Sequence, residues 1–174
     1  LLDAAVKTQD PNIHFLLVGD GALKSRLLAR RDSLGLKNVT MLTAISRDNV
    51  PTYLRLLDVA VVPLKKKKTF LSVLPSKIFE NAATGKPILL GVEGEAKELI
   101  QRYNAGLCFE PENVDEFLEK LDCLKVNKRV YEQCNNGALQ LASSFDRKRL
   151  AFQMLQSLAS LVGEPNILSK TKVT

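Results

Sequence analysis

"LPSKIFENAATGKPILLG" (Leu74–Gly91) reads as a helix that leads directly into a buried strand. Pro75 suits a first helical position, because its missing N–H would go unbonded there in any case. Gly85 and Pro87 stop the helix. "PILLG" carries no polar side chain, the pattern of a strand covered on both faces. A helix feeding such a strand is half of a βαβ unit, and the chain on either side repeats the theme.

Upstream, "IHFLLVG" (13–19) is another near-continuous apolar run closed by glycine. "ALKSRLLARRDSLG" (22–35) is amphipathic, with Leu23, Leu27, Leu28 and Leu34 on one side and Gly35 at its end. "NVTML" reads as a short strand, "RDNVPTYLRLL" as a helix and "DVAVVPL" as a strand. Downstream, "EGEAKELIQRYN" is helical, "AGLCFE" a strand and "NVDEFLEKLDCL" a helix. Strands alternating with helices imply an α/β fold: a Rossmann-like parallel sheet with helices on both faces. From about Lys128 the chain turns wholly helical. The last of these helices, "DRKRLAFQMLQSLASLV", gathers Met154, Leu155, Leu158, Leu161 and Val162 on one side. Residues 1–162 form one domain on this reading, and 163–174 a loose tail.

Composition narrows the classes. The chain has 174 residues, 45% of them apolar and 25% charged, ordinary values for a globular domain. No apolar run approaches the roughly eighteen residues of a membrane span. "LLDAAVKTQDPN" looks like the end of a helix and carries no initiator Met, so the sequence is expected to begin inside a longer architecture. A net charge of +6 admits acidic ligands such as phosphates, an anionic membrane surface or nucleic acid. Cys108, Cys123 and Cys134 are widely spaced and odd in number, which suits free thiols in a reducing compartment. One histidine, His14, and no CxxC leave no zinc set, and no Asp-x-Asp pair offers a divalent metal site.

In sheets of this kind ligands bind outside the carboxyl ends of the strands. The loops to weigh are therefore "GDG" (19–21), "TAISRD" (43–48), "KKKKTFLSVLPSK" (65–77), "GVEGE" (91–95) and "EPEN" (110–113). On the helix after Pro75, Ile78, Phe79, Ala82 and Ala83 share the face expected to pack on the sheet. Ser76, Glu80 and Thr84 fall on the opposite side, with Lys77 beside them. Two readings fit. Glu80 is a solvated residue paired with Lys77 at i, i+3. Alternatively a nucleotide lies along the helix, its diphosphate at the free N–H groups of the tip beside Ser76 and Lys77, its ribose hydroxyls on the Glu80 carboxylate.

The other loops also carry two readings each. "GDG" lacks the third glycine of GxGxxG, where Lys24 stands, so it is no dinucleotide fingerprint. In "TAISRD", Ser46 or Asp48 can cap the next helix, with Arg47 solvated. "LKKKK" (64–68) is a solvated loop, or it attracts a diphosphate or anionic lipid. Nucleic acid is disfavoured, since no aromatic residue interleaves with the lysines and aromatics are only 6% of the chain. Glu93 and Glu95 suit a helix start, and Cys108 suits a core.

The stretches "FLLVGDG", "LKNVTMLTAISRDNVPTYLRLLDVAVVPL", "VLPSKIFENAATGKPILLGVEGEAKELI" and "AGLCFEPENVDEF", in order and over about Leu1 to Leu124, resemble the carboxyl-terminal domain of family-four glycosyltransferases with the GT-B fold. The branch most resembled builds bacterial surface polysaccharides, and "PSKIFE-x-x-A-x-GKP" is its signature. The resemblance implies a nucleotide-sugar donor site, with Glu80 on the ribose. It implies that main-chain groups of the loop Ser72, Val73, Leu74 and onward, supported by Ser76 and Lys77, meet the diphosphate and sugar. Gly19 and Gly21 let the backbone approach the phosphates. Ala44 and Ile45 meet the base, with Arg47 near enough to stack. Ser72 stands where the wider family often has a second glutamate, and Pro75 where it has glycine, so contacts of those residues are not carried over.

The same resemblance implies metal-independent, cofactor-free transfer from a UDP-sugar to a lipid-linked saccharide. Its partners would be the donor, an amino-terminal domain ahead of Leu1 that carries the acceptor site, and the inner face of the cytoplasmic membrane. The chain would then be cytoplasmic and inactive alone, with no catalytic residue of its own. Two rivals stand beside it. A GT-B nucleotide-sugar epimerase would share nucleotide binding but needs carboxylates and histidines around the cleft, which a lone His14 does not supply. A non-enzymatic basic α/β module would bind a protein or anionic surface without regard to Glu80.

Overall fold

The computed structural model describes residues 1–8 and 10–161, and the expected tail at 163–174, with Val162, lies outside them. The elements are α1 (Leu2–Lys7), β1 (Phe15–Val18), α2 (Lys24–Ser33), β2 (Val39–Leu42), α3 (Val50–Leu56), β3 (Ala60–Pro63), α4 (Ser76–Ala82), β4 (Ile88–Gly91), α5 (Glu95–Tyr103), β5 (Gly106–Cys108), α6 (Val114–Val126), α7 (Lys128–Ser144) and α8 (Arg147–Leu161). The α/β alternation is therefore the one expected, followed by the helical run.

Every strand pair is parallel. The strands nevertheless fall into two hydrogen-bonded sets, β1 with β2, and β3, β4 and β5 in that order. β4 is central in the larger set, and all four of its residues are buried, as "PILLG" requires. Its alternating side chains feed two cores. Ile88 and Leu90 join Ile78, Ile100, Ala138 and Leu141 on the face covered by α4, α5 and α7. Leu89 joins Phe15, Val39, Phe109 and Phe117 on the face covered by α1 and α6. Helices thus cover both faces. Phe117 anchors the second core, its ring 5.2 Å from that of Phe109 and 6.3 Å from that of Phe15.

Several local expectations are corrected. Pro75 stays extended (ψ 127°) and precedes the helix rather than opening it. The helix ends at Ala82, where Gly85, at φ +69°, reverses the chain. Ala83 therefore lies in the turn and is exposed, and the buried face is completed by Asn81 instead. His14 sits just ahead of β1 rather than inside it, exposed, with Nε2 2.8 Å from the Thr40 hydroxyl. α2 buries no residue, and Leu23 and Leu34 are exposed, because its neighbouring sheet has only two strands. On α8 only Ala159 is buried, and Met154, Leu155, Leu158 and Leu161 face outward.

All three cysteines are free thiols. Burial pushes the Cys108 and Cys134 thiols up to about 11, which fits packing and not nucleophilic chemistry. No described helix is long and apolar enough to cross a membrane.

Candidate functional site

Within each set the strands run parallel, so Val18 and Leu42 end together, as do Pro63, Gly91 and Cys108. Of the segments that follow these ends, Gly19, Ala44, Ile45 and the start of α4 share one cleft, which marks the edge of interest. A cleft of about 1320 Å³ opens between the two strand sets and reaches this edge. Its rim there takes Gly19, Ala44 and Ile45 from one side, and Lys77, Glu80 and Asn81 from the other.

Gly19, Ala44, Ile45, Lys77 and Glu80 of the expected donor residues thus line one cavity. The other expected residues do not line it. Gly21, Arg47, Ser72, Val73, Leu74 and Ser76 are exposed on the loops and helix start around the edge. The side chains of Lys77 and Glu80 are exposed as well. Their i, i+3 ion pair does not form. Among the described residues neither joins a salt bridge. A cation and a carboxylate, three residues apart on the helix, therefore stand free at the rim. Together they can neutralise a phosphate and accept two hydrogen bonds from vicinal hydroxyls.

Two features that hold the rim together were not legible locally. Asp20 pairs with Lys24 at 2.8 Å, and its other oxygen accepts a hydrogen bond from the Ala44 N–H at 3.3 Å. The Lys24 ammonium first, and the Ala44 amide second, hold the Asp20 carboxyl below its ordinary value. The Asp20–Lys24 spacing is a readable i, i+4 pair, but the link to Ala44 spans two loops. Gly19, at φ +147°, lets the chain turn as it leaves β1. The second feature is Gly94, at φ +78°, where an added Cβ would fall 2.0 Å from the Leu71 carbonyl oxygen. That carbonyl accepts the Glu95 N–H at 2.9 Å, so the start of α5 pins the loop that leads to α4.

The Asp20 tether titrates in a known direction. Its folded carboxyl lies below the ordinary 3.8, so the contribution is present above that value and lost as pH falls through the folded value. The Ala44 and Gly21 amide resonances are expected to move together on acidification, with a midpoint below 3.8. In Asp20→Asn no coupled transition should remain, and heteronuclear NMR against pH reads both.

The lysine run does not line the cleft. Lys66 pairs with Glu110 at 2.5 Å, fastening the loop to the segment after β5. Lys65 to Lys68 instead border a second, smaller pocket of about 260 Å³ with Leu71, Val92 and Glu93. Glu93 itself pairs with Lys97 at 3.2 Å. Among the described residues no three His, Cys, Asp or Glu side chains converge as metal ligands.

The sequence profile of the family described as "Glycosyl transferases group 1" matches residues 1–140. WcaI of Escherichia coli (strain K12), named as a colanic acid biosynthesis glycosyl transferase, is 30% identical over 118 residues, 66% of this chain and 29% of that protein. TuaH of Bacillus subtilis (strain 168), named as a teichuronic acid biosynthesis glycosyltransferase, is 33% identical over 81 residues, 47% of this chain and 20% of that protein. The chain thus spans under a third of the length of these relatives. Among solved structures, Anabaena Alr3699/HepE in complex with UDP-glucose aligns with a TM-score of 0.76 at 23% identity, over 92% of this chain and 44% of that one. That last likeness is one of fold.

Proposed function

Since this chain belongs to the glycosyl transferases of group 1, we propose that it is the donor-binding part of an enzyme that moves a sugar from a nucleoside diphosphate, UDP in the first instance, to a lipid-linked saccharide during surface-polysaccharide synthesis. The observation that carries the reading is the free Lys77 and Glu80 pair, which lines the same cleft as Gly19, Ala44 and Ile45.

Each residue then has a role. Glu80 accepts both ribose hydroxyls. Lys77 and Ser76, with main-chain amides of Ser72 to Leu74, hold the diphosphate. Gly19 and Gly21 allow close backbone approach, and the Asp20 tether keeps that loop against Ala44. Ala44 and Ile45 border the base, with Arg47 beside them. Fixed dipoles and the Lys77 cation stabilise charge developing on the leaving diphosphate, without a metal. The acceptor site belongs to a second, amino-terminal domain, so this chain binds donor and transfers nothing alone. The names of WcaI and TuaH support the polysaccharide setting, and the UDP-glucose held by HepE supports the choice of nucleotide. A lipid-linked acceptor places the enzyme in the cytoplasm at the inner membrane face.

Calorimetric titration of the chain with UDP, ADP, GDP and CMP tests the reading. UDP is expected to bind measurably and best. Equal binding of all four, or of none, contradicts it and favours the basic-surface alternative.

A further inference from the structure

After β3 the chain reads "LKKKKTFLSVL" (64–74), four lysines followed closely by Phe70, Leu71, Val73 and Leu74. Lys65 to Lys68 are all exposed. So are Leu71, Val73 and Leu74, at 46%, 38% and 39%. Single exposed leucines are ordinary on any protein surface. Three large apolar side chains within four residues, next to a run of cations, form a patch of two chemistries. A merely solvated loop needs only the cations.

The loop does not hang free. The Leu64 N–H donates to the Gly91 carbonyl at 3.0 Å, at the end of β4. Lys66 reaches Glu110, past the end of β5, at 2.5 Å. The Glu95 N–H donates to the Leu71 carbonyl at 2.9 Å. Phe70 is half-buried and shares the smaller pocket with Val92 and Pro111. The backbone is thus fastened at both ends of the lysine run while the lysines and leucines stay exposed. A loop held in place beforehand loses less entropy when it docks.

The acids nearby do not neutralise the run. Glu110 is taken by Lys66, and Glu93 by Lys97. Glu112 adds one further negative charge within reach of Lys66. Among the described residues Lys65, Lys67 and Lys68 join no salt bridge. Three free ammonium groups beside exposed leucines match a surface that is anionic at its face and apolar just below it. A bilayer of acidic phospholipid is such a surface. Nucleic acid offers the phosphates without the apolar layer, and a free phosphate leaves the leucines uncovered.

We infer that the loop 64–74 docks on an anionic membrane, with Lys65, Lys67 and Lys68 on lipid phosphates and Leu71, with its neighbours Val73 and Leu74, at the acyl boundary. The loop runs directly into α4, so docking brings lipid next to the segment that carries Lys77 and Glu80. This names the surface for the membrane placement proposed above, and it rests on that reading for its setting alone. Vesicle binding is read without nucleotide or acceptor, so its failure is distinct from failure of the donor site.

Vesicle flotation tests the inference. The chain is expected to bind equal mixtures of phosphatidylcholine and phosphatidylglycerol, to bind phosphatidylcholine alone far less, and to be released by salt. The triple variant Lys65→Gln, Lys67→Gln, Lys68→Gln should bind the mixed vesicles on the order of a hundredfold more weakly, from about fivefold per lysine. Leu71→Ser should weaken binding roughly tenfold, since an inserted leucine is lost and no charge is. The start of α8 supplies the control, because Arg147, Lys148 and Arg149 also stand beside exposed apolar residues. Changing those three to glutamine removes the same charge and should weaken binding no more than about fivefold. Equal losses in the two triple variants would mean a general attraction of net charge. A loss confined to the α8 variant would mean that α8 docks instead. Release by inorganic phosphate beyond that by chloride at matched ionic strength would mean a site for a free anion. Equal binding to both vesicles, or to neither, would mean that the lysines meet no lipid phosphate. Each of these four results overturns the inference.

Discussion

Replacing Glu80 with alanine is expected to weaken UDP binding by roughly ten- to a hundredfold while leaving the fold intact. Hydrogen bonds to a charged group contribute about 1.5–3 kcal/mol, and the carboxylate is proposed to accept two from one ribose. The exposure of Glu80 brings the effect of the two bonds down to about that of one such bond. Stability should change by no more than about 0.5 kcal/mol, since the side chain is exposed, joins no described ion pair and alanine favours helix. Calorimetry for binding and urea denaturation for stability separate the two effects. Had Glu80 been a solvated surface residue, neither number would move.

Gly94→Ala is expected to have the largest structural effect at the rim. An L side chain at φ +78°, ψ −144°, close to a region that essentially only glycine occupies, costs about 1–3 kcal/mol. Its Cβ would also sit 2.0 Å from the Leu71 carbonyl oxygen, which is backbone and cannot swing aside. Overpacking of this kind adds about 1–3 kcal/mol. The strain is relieved by moving the segment that leads to α4. Nucleotide affinity should therefore fall along with stability, although Gly94 touches no proposed ligand group. Gly21→Ala is the control. It has open space around its Cβ and no left-handed φ, so its stability should be close to that of the parent. Urea denaturation of both variants checks the contrast in stability, and UDP titration of Gly94→Ala checks the loss of affinity.

The sequence carried the element order because its signals are local. "PILLG" is apolar throughout, and β4 is buried throughout. "FLLVG" has the same character and does form a strand. Its burial was not legible, because that depends on which strands stand beside it, and β1 has only β2. The packing face of α4 was legible at Ile78 and Ala82. It failed at Ala83 because the helix stops at Ala82, two residues earlier than its periodicity suggests. The Asp20–Ala44 hydrogen bond and the Gly94–Leu71 contact join segments more than twenty residues apart, and no spacing rule reaches that far. Glu80 and Lys77 stood out through the motif around them. Their joint exposure at a cleft rim is a tertiary fact.

The central claim is that Glu80 holds ribose, and a chemical double cycle reads it most directly. UDP and its 2′,3′-dideoxy analogue are titrated into the parent chain and into Glu80→Ala. If the carboxylate accepts the two hydroxyls, the parent binds the analogue about tenfold or more weaker than UDP, and Glu80→Ala binds both alike. If the parent does not distinguish the two ligands, or Glu80→Ala loses the same factor for each, the ribose lies elsewhere and the account of this site is wrong.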